Sequence, residues 1–131
     1  RNSGCPKCYR SKGEEAVAKV LGSLGVKFKP EFPLPKKRDK NGKRGHPLRL
    51  DFGIKAGGKF IVVEFHGIQH YKAVERFGGQ AGLVRVQRSD NAKRGACDRN
   101  NIPYLEIPYW DFANIDTLIK DFINTLKGEE Q

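Results

Sequence analysis

Two acids, Asp51 and Glu64, interrupt apolar runs that follow each other closely: Pro47-Leu-Arg-Leu-Asp-Phe-Gly-Ile-Lys55 and Gly58-Lys-Phe-Ile-Val-Val-Glu-Phe-His-Gly67. A carboxylate inside a core strand destabilises a fold unless it is paired, hydrogen-bonded or bound to a metal. Two on neighbouring strands can share one hard cation such as Mg²⁺ or Mn²⁺. The competing reading is a pair of structural ion pairs, with Arg49 or Arg85 as partners. His66, Gln69 and His70 follow within six residues of Glu64. A histidine titrates near pH 6.5, so it can take a proton from water at neutral pH. Carboxylates for a cation beside a histidine base make a set of groups suited to hydrolysis.

These side chains need elements to hold them. Ser11-Lys-Gly-Glu14 has the S-x-x-E spacing of a capping box, and Val17, Val20, Leu21 and Leu24 follow at helical spacing up to Gly25. Val26 to Phe32 predicts a short strand, with Pro30, Pro33 and Pro35 breaking regularity. Leu48, Leu50, Phe52 and Ile54 alternate with Arg49, Asp51, Gly53 and Lys55, which predicts a strand with Asp51 opposite the leucines. Ala56-Gly57-Gly58 predicts a hairpin turn. Phe60 to Phe65, apolar except at Glu64, predicts a central strand on which Glu64 and His66 share a face. Gly67 to Gly82 is glycine-rich and predicted irregular. A helix is predicted from about Gln80 or Leu83 to Arg99, with Gln87, Asp90, Lys93, Arg94 and Cys97 near one stripe. Ile102 to Tyr109 predicts a strand. Ile115, Leu118, Ile119, Phe122, Ile123 and Leu126 predict an amphipathic helix whose stripe is core. The order is α-β-β-β-α-β-α: an α/β (α+β) chain with a mixed sheet and flanking helices.

A length of 131 residues suits one domain with one core. The formal charge is +10, from 25 Lys and Arg against 15 Asp and Glu, and favours a polyanionic partner. The charge is clustered. Lys36 to His46 reads KKRDKNGKRGH, an expected solvated loop with Lys36, Lys37, Arg38, Lys43 and Arg44 as phosphate contacts. Arg85, Arg88 and Arg94 make the second helix basic, on the other side of the acids. His46 reads as surface. No apolar stretch is long enough to span a membrane. No signal-peptide pattern is present, and the start at Arg1 leads to the expectation of a longer parent protein. The cysteines are Cys5, Cys8 and Cys97. One Cys-x-x-Cys with an odd cysteine suggests a reducing compartment. Residues 1–10 read as half a zinc knuckle, in which Cys5 and Cys8 supply part of a Zn²⁺ site that needs two more ligands. A free CxxC is the alternative. Residues 11–131 read as a single domain.

The element order, with Asp51 followed by Glu64-Phe-His66, resembles the PD-(D/E)xK nuclease superfamily. The nearer likeness is to phage homing endonucleases related to very-short-patch repair endonuclease, the EDxHD group. It is carried by Cys5-x-x-Cys8, Ser11-Lys-Gly-Glu14, Leu50-Asp51-Phe52, Glu64-Phe-His-Gly-Ile-Gln-His-Tyr71, Phe77-Gly-Gly79, Gln87-Arg-Ser-Asp90 with Lys93, and Asn100-Asn-Ile102. The resemblance implies a restriction-endonuclease-like core, α-β-β-β-α-β plus a C-terminal helix. It implies Mg²⁺-dependent (or Mn²⁺-dependent) hydrolysis of phosphodiester bonds in double-stranded DNA. It places such a chain in the cytoplasm of a bacterial host if phage-encoded, with a homodimer as one open arrangement. Glu14, Asp51 and Asp90 stand at its three acids, and His66 or His70 at its histidine.

There are departures from the pattern. The superfamily usually has a lysine two residues after the second acid; His66 stands there, and Lys93 can serve from the helix. Asp51 and Glu64 would hold the cation. Strand alternation puts His66 nearer to it, so His66 is expected as general base, with His70 steering a phosphate or the leaving group. Glu14 has a structural role as cap and a second one near the metal if the resemblance holds. Asp90 has three readings: pairing with Arg94, orienting a histidine, or holding Lys93. The alternatives to a homing-type nuclease are a repair- or junction-directed nuclease on the same core and a non-catalytic zinc-knuckle DNA-binding module.

Overall fold

A computed structural model describes residues 11–56 and 58–129. Cys5 and Cys8 lie outside the described residues. The elements are α1 (Lys12–Ser23), β1 (Lys27–Leu34), β2 (Leu48–Ala56), β3 (Lys59–His66), α2 (Gly79–Arg99), β4 (Tyr104–Pro108) and α3 (Ile115–Glu129). Short 3₁₀ turns at Ile68–His70, Glu75–Phe77 and Tyr109–Asn114 join them. The chain is α+β, with a four-stranded mixed sheet in the order β1-β2-β3-β4. β1, β2 and β3 pair antiparallel, and β4 joins β3 in parallel.

Local chemistry accounts for the helix starts. The Ser11 hydroxyl accepts the Glu14 N–H and Glu14 Oε1 accepts the Ser11 N–H, both at 3.1 Å, so the capping box forms. Val17 and Leu21 then bury completely, and Gly25 at φ 70 closes the helix. α3 buries Ile115, Ile119 and Ile123 at the predicted spacing. Together α1 and α3 cover one face of the sheet, over Phe52, Ile54, Ile61, Val63 and Ile107. α2 covers the other face and contributes only Ala96 and Cys97 to an apolar cluster with Leu34, Leu48, Leu50 and Val62. Burial pushes the Cys97 thiol up to about 11, so it packs as a small apolar group. α2 is otherwise held by polar side chains, which matters for the site below.

Two expectations change. β1 runs on through Pro33 to Leu34 rather than ending at Phe32, and it includes Pro30 as expected. It is an edge strand, so it has an unpaired side on which a missing N–H goes unused. Strict alternation along β2 also fails. Leu48 and Leu50 pack under α2, whereas Phe52 and Ile54 pack under α1 and α3. The strand therefore changes face at Asp51. Opposite it, Glu31 has φ 52 and drops out of the register between Pro30↔Phe52 and Phe32↔Leu50.

Two glycines permit close approach. A Cβ at Gly53 would enter the Phe32 ring, and one at Gly13 would enter the Phe65 ring. The second contact brings the first turn of α1, with Glu14, down onto β3. Gly13→Ala is expected to destabilise by about 1–3 kcal/mol, as overpacking does. Urea denaturation would measure it, and an unchanged midpoint would contradict the packing.

Candidate active site

β2 and β3 part just where the two acids stand. Their ladder ends at Phe52↔Val63. Beyond it the acids close the gap themselves. The Asp51 N–H donates to Glu64 Oε2 at 3.2 Å, and the Phe65 N–H donates to Asp51 Oδ2 at 2.9 Å. Each carboxylate thus satisfies a backbone donor that would otherwise be orphaned near the core.

Glu64 is fully buried. Its Oε1 accepts from the Tyr104 hydroxyl at 2.8 Å and from His66 Nε2 at 3.1 Å, and its Oε2 accepts from Lys93 Nζ at 3.1 Å. Burial alone would raise its pKa. The His66 hydrogen bond, the Lys93 charge and the Tyr104 hydroxyl outweigh burial and hold it at about 2. Burial and the neighbouring Glu64 raise the Tyr104 phenol, so it stays a donor. Asp51 moves the other way. Burial first, then repulsion from Glu64 and Glu14, pushes it up to about 7 against the Phe65 N–H and Lys93. Neither Arg49 nor Arg85 pairs with these acids among the described residues; the cationic partner is Lys93.

The histidines stack, with ring centroids 3.9 Å apart and planes 10° apart, but their settings differ. His66 is buried, and the ionised Glu64 can only accept, so His66 Nε2 is the donor. Among the described residues His66 Nδ1 has no hydrogen-bond partner; its nearest acids there are Glu106 at 3.7 Å and Asp90 at 3.9 Å. His70 is more open, and its Nδ1 lies 2.8 Å from Asp90 Oδ2. α2 also grips its backbone, because Gln87 Nε2 donates to the His70 carbonyl at 3.3 Å. Of the three readings of Asp90, the histidine contact is the one formed. Arg94 instead makes a bidentate pair with Glu106 on β4, both bonds at 2.9 Å.

A cleft of about 320 Å³ joins these groups. Glu14, Asp51, Glu64, His66, His70 and Lys93 all line it, and so do Ser11, Gln69 and Arg76. Six of the seven residues predicted from sequence as catalytic therefore meet in one place, and Asp90 stands behind His70. A second hollow of about 220 Å³ lies beyond that pair, walled by His70, Tyr71, Gln87, Asp90, Asn91 and Arg94. The basic loop is exposed, as are Arg85, Arg88 and His46. Asp39 organises the loop as a turn by accepting the Asn41 and Lys43 N–H groups, and Arg38 caps it at the Gly42 carbonyl. Arg94, engaged with Glu106, is the one predicted phosphate contact already paired with an acid among the described residues.

Tyr104 and Glu106 were not singled out from the sequence. Both interrupt or flank an apolar strand, as Asp51 does. Their relevance rests on the parallel β3–β4 register, which sets Glu64 against Glu106.

Two donor sets are available to a metal. Glu14, Asp51 and Glu64 offer carboxylate oxygens in the cleft, and their mutual repulsion is what a hard divalent cation would relieve. His66, His70 and Asp90 place ligand atoms within 4.8 Å of one another. Ring lone pairs lie in the ring plane, however, and two stacked rings cannot aim them at one ion without turning. Carboxylates are the harder donors and suit Mg²⁺ by chemistry, but both Glu64 oxygens already accept from protein donors, and among the described residues only His66, His70 and Asp90 bring three ligand atoms within 4.8 Å of one another.

Among the described residues no helix is long and apolar enough to cross a membrane. No family model matches the sequence, and no solved structure matches it. Two viral proteins are similar to it. Uncharacterized protein 307L of Invertebrate iridescent virus 6 is 30% identical over 112 residues, which is 76% of this chain and 56% of that protein. Uncharacterized protein 094L of Frog virus 3 (isolate Goorha) is 35% identical over 71 residues, 53% of this chain and 44% of that protein. The chain spans about half the length of the curated relatives it matches.

Proposed function

We propose that this chain is a metal-dependent DNA endonuclease domain on a PD-(D/E)xK, restriction-endonuclease-like core, carried by a virus. The observation that carries the reading is the convergence of Glu14, Asp51, Glu64, His66, His70 and Lys93 from the secondary-structure elements and the turn after β3 onto one cleft. Asp51 and Glu64 would hold Mg²⁺ or Mn²⁺, with Glu14 beside them. A cation there would stabilise charge on a phosphate and acidify an attacking water.

The chain's own groups supply the rest. Tyr104 and His66 hold Glu64 by hydrogen bonds, so its carboxylate faces the cleft in one orientation. Lys93 balances the acid charge, from the helix rather than from two residues after Glu64. Asp90 holds His70 at Nδ1, which leaves His70 Nε2 to take the proton of the attacking water. The general base moves from His66 to His70 on this reading, because His66 is buried and the nitrogen it has left to accept a proton, Nδ1, faces the acids Glu106 and Asp90 at 3.7 and 3.9 Å. Cleavage of supercoiled plasmid with and without Mg²⁺, for the native chain and an Asp51 variant, tests the proposal.

The exposed basic loop supports a polyanionic partner. Charge reversal at Lys36, Lys37, Lys43 and Arg44 is expected to weaken DNA binding for every sequence. The slope of log affinity against log salt should shallow by about one for each lost phosphate contact. An unchanged slope would leave the loop outside the interface.

A further inference from the structure

The only tryptophan of the chain is on its surface. Trp110 is 61% exposed, on the turn after β4. Its ring centroid lies 4.7 Å from Tyr71 and 5.3 Å from Tyr109. Burying such a ring is worth much to a fold, so three rings gathered with the largest left in water call for an occupant. The place is specific. Tyr71 follows His70 directly, and its ring is 6.3 Å from His66 and 6.4 Å from His70. Tyr71 also walls the 220 Å³ hollow, where Gln87 and Asn91 carry amides.

We propose that Trp110 and Tyr71 form a shelf on which the base of an unpaired nucleotide stacks while a neighbouring phosphate sits in the cleft. The inference rests on the DNA reading above and narrows its substrate to single-stranded or locally opened DNA. A base inside a duplex has both faces covered by its neighbours, so only an unstacked base can use the shelf. Stacking tolerates every base, because each presents a π-face. Gln87 Nε2 holds the His70 carbonyl and Asn91 Oδ1 accepts from Arg94, which leaves the Gln87 Oε1 acceptor and the Asn91 Nδ2 donor for the edge of a base. A second copy of the chain is the poorer occupant, since each carries a formal charge of +10 and the two would repel.

As the sole tryptophan, Trp110 reports its own occupancy by fluorescence. The titrations use the protein in EDTA, so that binding is read without cleavage. The probes are a single strand of about 12 nucleotides, an abasic strand of equal length, and the matched duplex. The single strand should quench Trp110 strongly, and the other two weakly. By anisotropy of a labelled strand, Trp110→Leu should weaken single-strand binding by about 5- to 150-fold, the equivalent of about 1–3 kcal/mol per stacked base. Trp110→Phe should keep most of the affinity, and abasic binding should not change. If the base-bearing strand binds without quenching, or Trp110→Leu binds it as well as the native chain, the shelf is wrong and the DNA reading stands. If no probe binds at low salt, both fall. A fluorescence change with protein concentration alone would make the shelf a contact between copies and overturn the proposal.

Discussion

Asp51→Asn is expected to lower Mg²⁺-dependent cleavage by about 10³-fold, the equivalent of about 4 kcal/mol of transition-state stabilisation. DNA binding in EDTA should survive. Asparagine is chosen because its side-chain oxygen can still accept the Phe65 N–H, which alanine would leave orphaned at about 1–3 kcal/mol. The same variant should stabilise the fold in a pH-dependent way. Asp51 is raised from 3.8 to about 7 in the folded chain, so the fold holds its proton more tightly than the unfolded chain does. That contribution is fully present below about pH 3.8 and is lost as pH rises to about 7. The Tm advantage of the Asp51→Asn variant should therefore grow between these values and level off above them. Added Mg²⁺ should raise the Tm of the native chain and not that of the variant. Native-rate cutting by Asp51→Asn, or its failure to fold, would sink the metal-site reading.

His70→Ala should lower the single-turnover rate by about 10²–10⁴-fold, the usual loss for a general base, and should also lower Tm somewhat, because it leaves the buried Asp90 without its partner. The His70 ring is partly open, so the loss of Tm should be smaller than for His66→Ala although the ring stacks on His66. Asp90→Asn should follow it in rate, because an amide does not hold the same tautomer. His66→Ala should behave differently. The ring is 1% exposed and donates to a buried carboxylate, so its removal should lower Tm first and rate through Glu64. Rapid-quench measurements at fixed Mg²⁺, paired with thermal melts, separate the two. A dead Lys93→Ala beside an active His70→Ala would move the base to α2.

Local signals in this chain were legible from sequence. The Ser11–Glu14 box, the stripe of α3 and the shared face of Glu64 and His66 depend on neighbours within one element, and the structure has all three. The stripe of α2 was legible as well, since Asp90, Lys93 and Cys97 all turn inward. What escaped depends on pairing between distant segments. Arg94 was open to an Asp90 partner four residues away, yet it reaches Glu106 on β4. Tyr104 gains its role only because β4 lies parallel to β3. The change of face at Asp51 has no period of its own. It arises where Glu31 leaves the ladder and side chains replace backbone partners.

The reciprocal bonds between Asp51, Glu64 and the two backbone N–H groups bear on how such a domain could decay. A descendant that lost cutting would still need acceptors at both positions to close the end of its sheet. Acidic or amide side chains there would persist for architectural reasons after the chemistry had gone. In a sibling protein, the pair at 51 and 64 is thus a poor guide to activity. His70 and Asp90 are the better guide, because no strand depends on them.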